Sequence, residues 1–369
     1  MTNIPFYTNE EIHQLLLNLS KDELIGFRQI IERTFEDFSS GGERNYQPEP
    51  SGVTRPNGQR TLFRPFTSDD AVGAKIVVEP PLRPNGKKNP LHGTLILMDG
   101  RGNLTGLLAA EEVTGFRTSM NVMVPFSWRR HVQNIVIFGS GVQALWHTRL
   151  ILGLRGNEVD SITYISPAEA SVNALIDQVA QENDSLWKSN CSLRFGPSDP
   201  ESLKGAVQHA DCVFCTTPVR KPLFPSEYLT SHRSNDRQPF ISAIGSWQPD
   251  MIELDPALLH HCLEASGGRN LASGKTKGVV LVDDRKYALK NSGEVVQSKL
   301  KADDMLELGQ IISLKKASMR SGDDQQRFEQ TERYISQGFV VYKSVGLSLT
   351  DLTVSNAILA HIHGRQSDR

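Results

Sequence analysis

Six residues, Gly139-Ser140-Gly141-Val142-Gln143-Ala144, carry the G-x-G-x-x-A spacing of a pyrophosphate-binding turn. The first glycine permits a tight turn, the second lets the backbone approach an anion, and a small third residue lets a helix pack close to its strand. The amides and dipole of the following helix then face the phosphates. Context gives the spacing its weight: the apolar run Asn134 to Phe138 precedes it and a helical run to about Leu154 follows. A second strand candidate, Ser161 to Ile165, completes a strand-helix-strand unit. A carboxylate at the end of that strand would bind the ribose 2′-hydroxyl of NAD. Here the end reads Tyr164-Ile165-Ser166-Pro167. Ser166 offers a hydroxyl to a 2′-phosphate and no carboxylate repels one, although no arginine follows to clamp it. The reading is a nicotinamide dinucleotide, with NADP(H) slightly favoured over NAD(H).

Such a turn needs a parallel sheet beneath it. Strand-like runs at Cys212 to Cys215, Phe240 to Ile244, Val279 to Val282 and Phe339 to Tyr342 alternate with helical stretches, as a parallel sheet with crossover helices requires. Ahead of the turn, residues 9 to 37 show helical spacing in two stripes, Ile12, Leu15, Leu16 and Leu19, then Leu24, Ile25, Phe27, Ile30 and Ile31. Two amphipathic helices are expected there. Gly, Pro, Asn and Ser then accumulate from Gly41 to Gly58. The short runs Thr61 to Phe63, Ala74 to Val78 and Gly93 to Met98 predict a small mixed sheet. Pro80 to Pro90, with Lys87 and Lys88, reads as an exposed loop rather than a basic binding patch. After the turn signal Asp99-Gly100 a helix is expected from about Leu107 to Trp128. The fold class is α/β: a Rossmann-type doubly wound parallel sheet domain plus a smaller α+β domain.

The chain of 369 residues is long enough for two domains with their own cores. Its formal net charge of -2 gives no electrostatic reason to expect nucleic acid or an anionic membrane as partner, and small neutral or zwitterionic ligands fit better. Cys191, Cys212, Cys215 and Cys262 include one C-x-x-C pair, but no second pair or histidine cluster completes a metal site, and the two ends of that pair leave a strand on different faces. No metal is expected, and the cysteines read as reduced thiols. Met1 to Glu10 lacks a basic and an apolar leader segment, and no run of 18 apolar residues occurs, so the expected location is cytoplasmic.

The chain resembles the ornithine cyclodeaminase and mu-crystallin family over most of its length. The resemblance rests on Gly73-Ala74-Lys75-Ile76-Val77, on Gly93-Thr94-Leu95 ahead of Met98-Asp99-Gly100, on Val113-Thr114 with Arg117-Thr118, and on the glycine-rich turn. It continues in Ala243-Ile244-Gly245 with Glu253-Leu254-Asp255, in Val282-Asp283-Asp284, in Ser292-Gly293-Glu294, and in Lys343-Ser344-Val345-Gly346 with Asp351-Leu352. The resemblance implies a homodimer in which residues 1–126 with 350–369 bind substrate and form the interface, and residues 127–349 bind the nucleotide. Lys75 and Arg117 match the family's substrate-holding lysine and arginine, and are the catalytic candidates. A guanidinium suits an α-carboxylate, and a lysine beside it adds charge or organises a proton donor. His92 matches a family position near the cofactor. On the nucleotide side, the implied contacts beyond the turn are Ser166, Thr216, Thr217, Gly245, Ser344, Val345 and Gly346.

Three positions depart from the family. Gln47-Pro48-Glu49 is followed by Pro50 where relatives carry an arginine, and Trp247 stands where the cyclodeaminases have an aspartate. Arg64 stands where relatives tend to have methionine, and is a candidate to supply the missing charge. The substrate-binding set is therefore Arg64, Lys75, His92, Arg117 and Trp247. The expected activity is NAD(P)H-dependent reduction of a small imino acid, or equivalently dehydrogenation of the amino acid. The alternatives are a cyclodeaminase using bound NAD, against which Trp247 counts, and a nucleotide- and ligand-binding protein with little turnover.

Overall fold

The structure is a computed structural model that describes residues 5–83, 89–231, 237–264, 277–319 and 322–367. It divides into two compact units, Met1–Arg117 with Leu347–Arg369, and Thr118–Gly346. The division falls inside a helix, whereas the sequence pattern places the boundary near that helix's end. Part of the expected loop from Pro80 to Pro90, residues 84–88, lies outside the described residues.

In the first unit, β1 (Phe6–Tyr7) leads into α1 (Asn9–Leu17) and α2 (Lys21–Ser40). Both helices start at capping boxes, Thr8 with Glu11 and Ser20 with Glu23, which satisfy first-turn amides. The strands β2 (Ser51–Thr54), β3 (Arg60–Thr67), β4 (Ala71–Glu79), β5 (His92–Asp99) and β6 (Leu104–Ala109) join β1 in a six-stranded sheet of order β1-β6-β5-β4-β3-β2. All neighbours pair antiparallel except β1 with β6.

β6 corrects the expectation of a helix from Leu107. Asp99 Oδ1 accepts the amides of Arg101 and Asn103, and Gly102 takes φ 84°, so a tight turn returns the chain alongside β5. Gly106 and Leu108 then face inward, and cross-strand pairing overrides the helical period. The helix α3 starts at Ala110 and runs to Ser127. The helix Ser348–Ser367 packs on β3, β4, β5 and α2. Phe27 and Phe116 meet edge to face at 5.2 Å in this core, with Ile31, Phe35, Leu95, Leu108 and Ile358 also buried.

The second unit holds β7 (Asn134–Phe138), β8 (Ser161–Ile165), β9 (Ser192–Gly196), β10 (Cys212–Cys215), β11 (Phe240–Ala243), β12 (Val280–Val282), β13 (Met305–Glu307) and β14 (Val340–Lys343). They form one parallel sheet of order β13-β12-β14-β11-β10-β7-β8-β9. The strands are near-continuous apolar runs because both faces are covered. Val136, Phe138, Val213, Ile241, Val280 and Val341 belong to one buried cluster. The chain order turns back at β7, whose neighbours are β8 on one side and β10 on the other. In doubly wound sheets this reversal is where ligands meet the carboxyl ends of the strands.

Candidate active site

The glycine-rich turn lies at that reversal. Gly139 follows the last residue of β7 with φ 115°, a backbone state that side chains rarely adopt, and a Cβ there would stand 2.8 Å from Thr216 Oγ1. Gly141 immediately precedes α4 (Val142–Arg155), which has no side-chain cap, so its first-turn amides are available to an anion. A Cβ on Gly141 would meet nothing within 4 Å. Ala144, one turn on, is fully buried. An uncapped helix start behind an open glycine fits a diphosphate.

Strand register brings most of the nucleotide candidates to the same edge. Phe138, Ile165, Cys215, Ala243 and Lys343 are the last residues of neighbouring strands. Ser166, Thr216, Gly245 and Ser344 to Gly346 follow them directly or within a few residues. Ser166 Oγ accepts the Ala168 amide at 3.3 Å, and Thr216 Oγ1 donates to Phe138 O at 2.7 Å. Asp283, buried just past the end of β12, accepts Ser344 Oγ at 2.6 Å and the amides of Val345 and Gly346 at 3.1 and 2.8 Å. Trp247 is half-buried in the turn after β11. Cys212 and Cys215 are buried and not disulfide-bonded; Cys212 Sγ lies 3.8 Å from His131 O. Among the described residues no group of three or more His, Cys, Asp or Glu side chains is placed to hold a metal ion.

In the first unit, Arg64 and Lys75 sit directly opposite each other on β3 and β4, so their side chains leave one face. Lys75 Nζ donates to Asp351 Oδ1 at 2.8 Å and to Thr114 Oγ1 at 3.1 Å. Arg117 Nε donates to the same Asp351 oxygen, also at 2.8 Å. Lys75, Arg117 and Asp351 are 2 %, 5 % and 0 % exposed, so this charge cluster is desolvated. Arg117 Nη1 and Asp351 Oδ2 are buried without a partner among the described residues.

Three cations, Arg64, Lys75 and Arg117, face one carboxylate. Burial pulls the Lys75 ammonium down to about 7, with Arg117 and Arg64 adding to the effect and Asp351 opposing it. Burial raises the Asp351 carboxyl, but Arg117 and Lys75 outweigh it and hold the group below the ordinary aspartate value. Asp351 lies in the first turn of the helix Ser348–Ser367, where the helix dipole also favours an anion.

The structure does not bring His92 to this cluster. Lys75 pairs with Leu95 and Val78 with His92, three residues away on each strand, so the pleat sends His92 to the other face. Its side chain is 73 % exposed, with Nδ1 3.1 Å from Glu111 Oε1. Thr114 and Asp351 are visible in the sequence only as parts of the family pattern. No local signal could assign Asp351, because its partner Lys75 lies 276 residues away in sequence.

No protein-family model matches the chain. The Delta(1)-pyrroline-2-carboxylate reductase of Bacillus cereus is 25 % identical, covering 90 % of this chain and 91 % of its own. The ketimine reductase mu-crystallin of Macropus fuliginosus is 24 % identical over 89 % of each. Among solved structures, the Thermococcus litoralis Delta(1)-pyrroline-2-carboxylate reductase in complex with NADH and L-proline superposes with TM-score 0.71 at 16 % identity, covering 98 % of each chain. That likeness shows the fold.

Proposed function

We propose that this chain, a relative of the ornithine cyclodeaminases and mu-crystallins, is an NAD(P)H-dependent reductase of a small imino acid, acting in reverse as an amino-acid dehydrogenase. The observation that carries the reading is the buried surplus of positive charge in the first unit, with Arg117 Nη1 lacking a partner among the described residues. A buried unpaired donor is costly and calls for an acceptor. The carboxylate of an imino acid supplies one. Asp351 occupies the Nε side of the guanidinium and leaves the Nη side for a substrate carboxylate.

Lys75 has three N–H donors and spends two of them on Asp351 and Thr114. The third serves the substrate, and its pKa of about 7 suits proton delivery to an imine nitrogen near neutrality. Protonation raises the electrophilicity of the adjacent carbon. A nicotinamide dinucleotide, when bound on the turn Gly139 to Ala144, would supply the hydride, leaving the product as an amine. The protein's contribution is orientation and charge. NADP(H) is the preferred nucleotide in this reading, because β8 ends at Ile165 with Ser166 and no carboxylate follows at the strand end. The first unit is the substrate-binding and dimerisation unit in the same reading.

Trp247 separates this reading from cyclodeamination, since an indole has one N–H donor and no proton-accepting group. Its flat apolar face suits a cyclic or hydrophobic imino acid better than a dicationic diamino acid.

The test is to incubate the purified protein with NADPH or NADH and a panel of cyclic imino acids, following nucleotide oxidation. Turnover is expected, with NADPH binding at least as tightly as NADH. Arg117→Ala should lower kcat/KM by about 30- to 5000-fold, equivalent to about 2 to 5 kcal/mol for a desolvated charge pair. Sustained conversion of ornithine to proline and ammonia with NAD⁺, or unchanged kcat/KM in Arg117→Ala, would refute the assignment.

A further inference from the structure

The loops that follow β10 and β11 are held from below by one carboxylate. Glu253 is fully buried; its Oε1 accepts the Thr217 amide at 2.7 Å and its Oε2 accepts the Gly245 amide at 2.6 Å. Thr217 and Gly245 stand two residues beyond the ends of adjacent parallel strands. The loops also touch each other, because a Cβ on Gly245 would lie 2.1 Å from Thr217 O and 2.7 Å from Glu253 Oε1. Only glycine permits that approach.

A second layer fixes Glu253 itself. Its amide donates to Glu294 Oε1 at 2.7 Å, and Glu294, in the helix Gly293–Gln297, also accepts Ser246 Oγ at 2.5 Å and Ser292 Oγ at 3.1 Å. Lys343, at the end of β14, donates to Ser246 Oγ at 2.6 Å and to Ala243 O at 3.1 Å, with Nζ 3.8 Å from Glu294. Two buried acids thus share one buried ammonium. Burial pushes the Glu253 carboxyl up to about 7; Lys343 opposes this and Glu294 adds to it. Apolar residues would fill such a position at lower electrostatic cost, so two buried carboxylates with amides converging on them are weak evidence of a contribution to stability. What they supply is geometry. Asp283 repeats the arrangement beneath Ser344 to Gly346.

We propose that Glu253 is a positioning residue that sets the Thr217 and Gly245 loops at the nucleotide edge, with Glu294 and Lys343 fixing it in turn. The proposal rests on the reading of that edge as the nucleotide site. Glu253 touches neither substrate nor nucleotide in this role; it acts through the two loops.

Glu253→Gln keeps the shape but places an NH₂ group against one of the two backbone N–H donors. Its expected effect is about a tenfold rise in the Kd for NADPH, the order of one charge-assisted hydrogen bond. kcat/KM for the nucleotide should fall in proportion while KM for the imino acid stays within about twofold, a split that general loss of folded protein would not produce. Glu253→Asp, which keeps both acceptors, should recover part of the affinity. In the parent protein, without nucleotide, the Thr217 and Gly245 amides should be protected from hydrogen exchange. Should Glu253→Gln not fold, Ser246→Ala removes the hydroxyl that joins Lys343 to Glu294, and should weaken NADPH by about threefold or more.

Parental affinity in the folded variant, or rapid exchange at both amides in the parent, overturns the proposal. If the parent binds neither NADPH nor NADH, the reading of the edge fails and this proposal with it. If the parent binds nucleotide and Glu253→Gln binds it equally, this proposal alone fails.

Discussion

Lys75 is held at a pKa of about 7 by burial first, then by Arg117 and Arg64, with Asp351 pulling the other way. Only the protonated form delivers a proton, so kcat/KM for imine reduction should fall as pH rises through about 7. Arg64→Gln removes one of the depressing cations. The Lys75 pKa then rises, and the falling limb should move to higher pH. The substrate's own ionisation is the same in both proteins and cannot move the limb. Identical limbs in parent and variant would show that the proton comes from elsewhere. The same shift has a stability consequence of definite sign. An unfolded lysine titrates near ~10.4, so between about 7 and ~10.4 the unfolded chain binds more protons than the folded one. The Lys75 contribution therefore makes the folded state gain stability as pH rises across that window. Below about pH 7 the folded protein carries the full cost of a buried ammonium.

The turn between β7 and α4 allows backbone strain and ligand contact to be separated by two alanine substitutions. Gly139 has φ 115°, and a Cβ there would lie 2.8 Å from the Thr216 hydroxyl, so Gly139→Ala should cost about 1 to 3 kcal/mol and lower the Tm. Gly141 has φ -92° and open space at its Cβ, so Gly141→Ala should leave the Tm unchanged yet weaken NADPH in a fluorescence titration. Parental affinity in Gly141→Ala would mean that the diphosphate sits elsewhere. This turn is legible in the sequence because its determinants are local: an apolar strand, two glycines and a helix follow one another within about a dozen residues. The same locality makes β7, β8 and β10 readable. β6 is not, because its Leu104, Leu107 and Leu108 stand at helical spacing and run without a break into α3; β9 holds only two large apolar residues, Leu193 and Phe195, and β13 is three residues long. The cluster around Lys75 is legible only in part. Lys75, Arg64 and Arg117 are reached through the family pattern, whereas Asp351 becomes readable once the helix Ser348–Ser367 is docked. His92, reached through the same pattern, leaves the opposite face of the sheet from Lys75, because likeness to a family position does not fix which face of a strand a side chain leaves.

At the scale of the molecule, the six-stranded sheet has two unlike faces. Arg64 and Lys75 leave one of them; Val53 and Phe63, 52 % and 39 % exposed, leave the other near the outer edge at β2. Exposed apolar side chains beside an open sheet edge are a surface that a second copy would cover. A homodimer is the expected state, checked by light scattering coupled to size exclusion; a monomer at micromolar concentration would count against it. No helix among the described residues is long and apolar enough to cross a membrane. The pairing of Lys75 with Asp351 also bears on how the protein is made. During synthesis β4 emerges early, and the helix that carries Asp351 emerges only after the whole of the second unit. Until then Lys75 and Arg117 have no Asp351 counter-charge to be buried against, and burying them would leave uncompensated cations in the core. Until the second unit has been made, the first unit therefore lacks the helix that covers β3, β4 and β5. A chain cut short before residue 348 would carry the whole parallel sheet of the second unit and a first unit whose six strands are all present but lack their covering helix, a product that quality-control proteases can recognise by that bared face.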